Sequence, residues 1–296
     1  MPVTKSPLRY PGGKTQLHKF VSHLFDINNI TNGVYCEPFS GGAGVAIELL
    51  FSRKVDRIIL NDYDIGIYSI WNAVLNDTLR FIELIDVTPI TIEEWHIQKE
   101  IYLSTKIDNS YSIELAFATF FLNRTNRSGI ILGGPIGNLS QTAKDKIDCR
   151  FNKKSLINKI NSIAAERERI ELYNLDAQVL IEEVLTAEDS NNLFTFFDPP
   201  YYKQGKNLYT NFFNHSDHEK LAVAIKAMED YKWITTYDYV DQIKGIYSDT
   251  LTKEYQIYYS ANRNRKEMEY LFHSNNTIVE SFDKVKFVED LVILEH

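Results

Sequence analysis

Apolar positions along the chain fall into two alternating patterns. Short continuous runs bounded by turn residues predict buried strands: GVYCEPF (Gly33–Phe39), DRIILND (Asp56–Asp62), RIELYN (Arg169–Asn174), NLFTFFD (Asn192–Asp198) and YKWITTY (Tyr231–Tyr237). Runs that stay apolar instead of alternating suit a parallel sheet covered on both faces. A helix is predicted over Val45–Ser52. Another is predicted in SDHEKLAVAIKAMED, where a capping box of Ser216 with Glu219 precedes Leu221, Ile225 and Met228 on one helical face. Strand, helix, strand is the order of a doubly wound α/β domain.

From about Trp71 to Glu166 that order breaks. Thr91 with Glu94 caps one expected helix, and Ser112 opens another through SIELAFATFFLN. RSGIILGGPIGNLS (Arg127–Ser140) follows, with glycines, a proline and a brief apolar run, which suits a hairpin or an exposed loop. Residues 71–164 are therefore expected to form a mostly helical insertion carrying a protruding turn. Residues 1–70 and 165–296 are expected to form the α/β domain.

Charge supports a division of this kind. The 296-residue chain has a formal net charge of -8, from 32 basic and 40 acidic residues, which argues mildly against a protein that simply coats nucleic acid. Between Asn123 and Ile160, however, Arg124, Arg127, Lys144, Lys146, Arg150, Lys153, Lys154 and Lys159 face only Asp145 and Asp148. Lys5, Arg9, Lys14 and Lys19 add to the basic side with no acid in the first 19 residues. A solvated helical face has the same composition, but the coincidence with the glycine-rich turn favours a nucleic-acid contact surface. With 44% hydrophobic residues the core can be large, and two cysteines, Cys36 and Cys149, suit a reducing cytoplasm better than a disulfide framework. No CxxC or His-rich spacing offers a metal site. The start, MPVTKSPLRY, lacks the apolar core of a signal peptide, and no apolar run has the length of a membrane span.

Two stretches carry the chemistry. In EPFSGGAG (Glu37–Gly44), Gly41, Gly42 and Gly44 lie between an expected strand and an expected helix, where glycine permits close ligand approach. Asp62 ends the next strand, at the place where an acid accepts hydrogen bonds from ribose hydroxyls in nucleotide-binding α/β folds. A tight turn with a capping Asp gives the same letters, but cluster, strand and spaced acid together indicate a nucleoside-containing cofactor. RYPGGKTQ ends like a phosphate-binding loop, yet Leu8 stands where that motif needs its first glycine, so a P-loop nucleotidase is rejected. The second stretch is LFTFFDPPYYKQ (Leu193–Gln204). Its strand delivers Asp198 to the carboxyl edge of the sheet, and Pro199 and Pro200 keep the backbone extended. A carboxylate and the Pro199 carbonyl then form two acceptors, matched to an amino group with two hydrogens. Tyr201 adds a flat face suited to a planar base.

YPGGK, EPFSGGAG, LNRT (Leu122–Thr125) and DPPYY, in this order, resemble the Dam family of N6-adenine DNA methyltransferases. The resemblance spans nearly the whole chain and extends more loosely to TTYDYVDQIKGIY and RNRKEMEYLF. It implies a mostly parallel seven-stranded sheet with an inserted, mostly helical target-recognition domain, and S-adenosylmethionine as cofactor. Cofactor contacts then fall to Tyr10, Pro11, Gly12, Lys14, Glu37, Pro38, Phe39, Gly41 and Gly42. Asp62 takes the ribose, Asp176 in YNLDA the adenine amine, and Asp198 the place between cofactor and target. Glu37 departs from the family's usual Asp by one methylene. The implied catalytic residues are Asp198, Pro199 and Tyr201. The implied contacts to double-stranded DNA are Arg9, Asn123, Arg124, Asn126, Arg127, Lys153 and Lys154. The implied activity is methylation of an adenine flipped from the duplex, and KQGKNLYTNFF (Lys203–Phe213) is expected to close over that base. A cognate restriction endonuclease would be a functional, not a physical, partner. A methyltransferase acting on RNA adenine or another planar amine or amide, and a nicotinamide-dependent oxidoreductase, are the competing readings.

Overall fold

The computed structural model describes residues 4–10, 13–203, 213–259 and 265–293. Among these, seven strands form one sheet: β1 (Val34–Glu37), β2 (Arg57–Asn61), β3 (Ile170–Tyr173), β4 (Leu193–Phe197), β5 (Lys232–Asp238), β6 (Leu251–Tyr259) and β7 (Arg265–His273). Their order is β3-β2-β1-β4-β5-β7-β6. The first five run parallel, and β7 inserts antiparallel between β5 and β6. The order reverses between β1 and β4, which opens a crevice at the carboxyl ends of those strands. Pairing of Cys36 with Thr195 brings Glu37 and Asp198 to that same edge.

The apolar runs are continuous because both faces are covered. Tyr35, Ile58, Leu60, Phe194 and Phe196 enter one core, whereas Val34, Cys36, Ile59, Leu193 and Phe197 enter the other. The first core lies under α1 (His18–Ile27), α2 (Gly44–Phe51), α3 (Ile65–Asn76), α4 (Thr78–Val87), α5 (Ile92–Thr105), α6 (Ile113–Thr125) and α7 (Lys153–Ala164). The second lies under α8 (Ala177–Glu183), α9 (His215–Lys226) and α10 (Asp241–Ile246). A short α11 (Val288–Ile293) follows the hairpin.

The helical stretch expected at 71–164 does hold four helices, α4 to α7, but it does not start at residue 71. That position falls inside α3, where Trp71 is fully buried and donates its indole N–H to the Gly41 carbonyl at 2.9 Å. Phe81, Trp95, Phe120 and Phe121 share one continuous core with the sheet residues. The helices thus buttress the sheet face under the glycine turn.

One local expectation is corrected. The capping box of α9 is Asn214 with Asp217, two residues before the expected Ser216 and Glu219, because Asn214 holds the extended cap conformation and Asp217 returns the bond. The stretch Arg127–Ser140 takes the loop rather than the hairpin of the two forms expected. It opens with a 3-10 turn, Arg127–Gly129, and closes with a single bridge between Asn126 and Pro135. Thr91 and Ser112 cap α5 and α6 as expected, each accepting from the backbone three residues on.

Candidate active site

The edge of the sheet is built by three strand ends and a cross-tie. Asn61, at the end of β2, donates to the Pro38 carbonyl at 2.9 Å and to the Leu175 carbonyl at 3.0 Å, and accepts from Leu175 N–H. This fixes the loops after β1, β2 and β3 against one another. Gly41 has φ +45°, and a Cβ there would lie 2.7 Å from the Tyr10 ring. Its N–H donates to Asp62 at 2.8 Å, and the other Asp62 oxygen accepts from Asp64 N–H at 2.9 Å. Glu37 accepts from Tyr35 hydroxyl at 3.1 Å and from Ala46 N–H at 2.9 Å, and so caps the first turn of α2 with its own carboxyl. Phe39 meets Phe213 edge-on, with ring centroids 6.0 Å apart.

Asp198 leaves β4 at this edge, with a quarter of its side chain exposed. Thr236 on β5 donates to its Oδ1 at 2.8 Å, and Lys14 Nζ stands 3.8 Å from the same oxygen. The Lys14 ammonium is held more closely by Glu269 on β7, at 2.9 and 3.0 Å from its two oxygens. Tyr201 hydroxyl donates to Glu269 Oε1 at 2.6 Å and accepts from Lys14, while Tyr255 on β6 donates to Glu269 Oε2. Asp238, at the end of β5, accepts from Tyr202 N–H at 3.0 Å and Lys203 N–H at 2.9 Å, which anchors the chain just after the two prolines.

Burial raises the affinity of this edge for protons. It pushes Glu37 up to about 8, against the hydrogen bonds from Ala46 and Tyr35. Asp62 is pushed up to about 7, first by burial and then by the Asp64 charge. Asp198 is pushed up to about 6 by burial, with Lys14 opposing.

Tyr10, Lys14, Glu37, Pro38, Phe39, Gly41, Gly42, Asp62 and Asp198 all lie along or against this edge. Asp176 lies at the end of β3, exposed, where it caps α8 by accepting from Gln178 N–H at 2.8 Å. Pro11 and Gly12, and residues 204–212 of the segment expected to close over a base, lie outside the described residues. Glu269, Thr236, Tyr255 and Asp238 are the side chains that the sequence reading missed. Among the described residues no cluster of three or more His, Cys, Asp or Glu is placed to hold a metal, and no helix is long and apolar enough to cross a membrane.

The residues expected to touch DNA divide into two groups. Asn123 and Asn126 are fully buried and are used internally instead. Asn123 accepts from Arg9 N–H at 2.9 Å and donates to the Arg9 and Gly129 carbonyls at 2.6 and 3.1 Å. Asn126 accepts from the Trp95 indole at 2.7 Å and donates to the Ile130 and Ile131 carbonyls. Lys153 donates to the Asp86 carbonyl at 2.6 Å, tying α7 to α4, whereas Lys154 is exposed. Arg9, Arg124 and Arg150 form a cationic cluster. Arg9 donates to the Asn126 carbonyl at 2.8 Å, and Arg124 donates to the Pro7 and Arg150 carbonyls. Among the described residues none of the three has a carboxylate within salt-bridge distance, and the Arg124 Nε–H is buried without a partner. Burial and the neighbouring Arg9 and Arg150 lower Arg124 to about 9. Arg127 is exposed, bonds Asn138, and lines a groove of about 600 Å³ with Trp95, Lys99, Leu132 and Pro135.

Replacing Asn123 with Ala is expected to cost about 2–4 kcal/mol of stability, because buried backbone groups lose three hydrogen bonds at once. Denaturant unfolding measures it. A stability within 0.5 kcal/mol of the parent, an ordinary surface value, would return Asn123 to a contact role.

The fold is α/β, with a mostly parallel seven-stranded sheet. The chain belongs to the D12 class N6 adenine-specific DNA methyltransferase family, whose model matches residues 10–287. No curated protein sequence matches the chain. Similar solved structures include a Pyrococcus horikoshii protein assigned as an RNA methyltransferase, at 7% identity and a TM-score of 0.37 over 90% of this chain and 84% of that one. They also include two structures of the rRNA methyltransferase aviRa from Streptomyces viridochromogenes. Each is 8% identical with a TM-score of 0.38, covering 90% of this chain and 86% or 88% of theirs.

Proposed function

We propose that this chain transfers the methyl group of S-adenosylmethionine to the N6 amine of an adenine turned out of a specific double-stranded DNA site, in the manner of the Dam group. The observation that carries the reading is Asp198 at the carboxyl edge of β4, with Thr236 on Oδ1 and Oδ2 left for an incoming N–H. Cofactor and target would meet there.

The residues present fit that cofactor. Ser40 Oγ is buried in the glycine turn and has no hydrogen-bond partner among the described residues, so a polar group is accommodated beside Gly41. Burial holds Glu37 and Asp62 toward their neutral forms, so the edge presents Asp198 and Glu269 against Lys14, a charge balance that still favours a cation such as a sulfonium. The N-terminus of α2, the usual seat of a dinucleotide pyrophosphate, is already occupied by the Glu37 carboxyl. This disfavours a nicotinamide dinucleotide. Tyr10, Lys14, Phe39 and the turn Ser40–Gly42 would hold the cofactor, with Asp62 toward its ribose and Asp176 toward its adenine. Bound there, the sulfonium would supply an electrophilic methyl.

The chain's own groups do the rest. The N6 lone pair is delocalised into the ring, so the amine is a weak nucleophile. Hydrogen bonds to Asp198 and the Pro199 carbonyl favour a pyramidal nitrogen, and the Asp198 charge stabilises the positive charge that grows on it. Holding both reactants in register supplies ~7–11 kcal/mol of the barrier lowering. Extruding the base costs a few kcal/mol, and stacking on Tyr201 returns ~1–3 kcal/mol. Bonds from Tyr201 hydroxyl to Lys14 and Glu269 fix that ring's plane. The cationic cluster of Arg9, Arg124 and Arg150 supplies uncompensated charge for DNA phosphates.

Labelled S-adenosylmethionine incubated with unmethylated genomic DNA tests the proposal. Label in N6-methyladenine at one recurrent sequence is the expected result. Label confined to RNA or protein, or none, would overturn it.

A further inference from the structure

Lys14 has two carboxylates within reach, and it does not sit closest to the catalytic one. Glu269 holds it at 2.9 Å while Asp198 Oδ1 stands 3.8 Å away. Glu269 is fully buried on β7 and is fixed from three sides, by Lys14, by Tyr201 from the Asp-Pro-Pro-Tyr corner and by Tyr255 from β6. A buried carboxylate is costly unless paired, and among the described residues this one is paired with the cation that also stands beside Asp198.

We infer that Glu269 is a positioning residue. It draws the Lys14 ammonium away from Asp198 and fixes the Tyr201 ring, so that the Asp198 carboxylate stays free to accept the target amine. Without Glu269, Lys14 would close on Asp198 and form a buried pair that the amine must break. The inference rests on the methyl transfer proposed above.

The expected signature is electrostatic. Groups facing Asp198 among the described residues are Lys14 before α1, Glu37 and Tyr35 from β1, Thr236 and Tyr237 from β5, and Glu269 from β7. Of these, Lys14 favours the charged carboxylate and Glu269 opposes it. Removing Glu269 takes away a repelling charge and releases the ammonium, and both effects favour ionisation of Asp198. Removing Lys14 does the reverse.

Single-turnover methylation of duplex DNA at saturating cofactor, followed across pH, separates the cases. Glu269→Gln is expected to move the acid limb of the rate down by about one pH unit and to lower the plateau rate about tenfold. Lys14→Met is expected to move that limb up by a similar amount. Glu269→Asp, which keeps the charge, is expected to leave it near the parent position. A limb that stays put in Glu269→Gln and Lys14→Met, or moves the same way in both, overturns the inference while the proposed function stands. Should Glu269→Gln not fold, an unmoved limb in Lys14→Met overturns it alone. A parent protein that methylates no adenine overturns both.

Discussion

Asp198→Ala is expected to lower single-turnover methyl transfer by at least ~10²–10³-fold, the usual scale for losing one aimed transition-state partner. In the proposed mechanism its carboxylate turns the amine lone pair and offsets the charge growing on nitrogen. Nothing in the described residues substitutes for it, since Thr236 has a hydroxyl but no charge and Glu269 is committed to Lys14 and two tyrosines. DNA affinity is expected to stay within about threefold, because the cations available to phosphate lie in the separate cluster of Arg9, Arg124 and Arg150. Rapid-quench methylation and fluorescence anisotropy with the same duplex measure the two quantities. A variant retaining a tenth of the parent rate removes Asp198 from the chemistry.

Gly41→Ala is expected to weaken cofactor binding by about tenfold to a hundredfold. A φ of +45° costs an alanine roughly 1–2 kcal/mol, and its Cβ would lie 2.7 Å from the Tyr10 ring. That ring cannot move freely. Its neighbour Arg9 is pinned through both backbone groups to Asn123. Moving Gly41 instead breaks its N–H bond to Asp62 and its carbonyl bond from Trp71. Either relaxation deforms the cradle. Gly245→Ala, in α10 with nothing within 4 Å of the added methyl, is the control and is expected to leave binding unchanged. Calorimetric titration of cofactor into the two variants compares them. Equal affinities would mean that the turn does not shape the site.

Much of the sheet was legible because its strands are buried on both faces. All five expected runs contain strands; four are trimmed by a residue or two at each end, and β5 starts one residue late and runs one further, to Asp238. Glu37, Asp62 and Asp198 were legible for a related reason, since an acid ending an apolar run has nowhere to go but the carboxyl edge. The β6–β7 hairpin was not read as strands. Its Lys266, Glu267 and Glu269 look like a solvated charged run, and only pairing with β5 reveals that Glu269 turns inward. Asn123 and Asn126 failed in the opposite direction. Beside Arg124 and Arg127 they read as an exposed polar stretch, but α6 is buried on nearly every side, and its C-terminal amides tie the chain's first residues to the turn beyond. The capping box slipped by two because Asn214 competes with Ser216 for the same role, and local sequence does not rank them.

The side chains meeting at Glu269, those of Lys14, Tyr201 and Tyr255, include one from the far end of the polypeptide, with Lys14 and Glu269 separated by 255 positions. Loop closure over such a span comes late in folding, since its entropy is lost before the contact returns anything. A nascent chain still lacking β7 holds Asp198 and Lys14 without the group that keeps them apart. Under the role proposed for Glu269, methylating competence would be acquired only when the final hairpin docks.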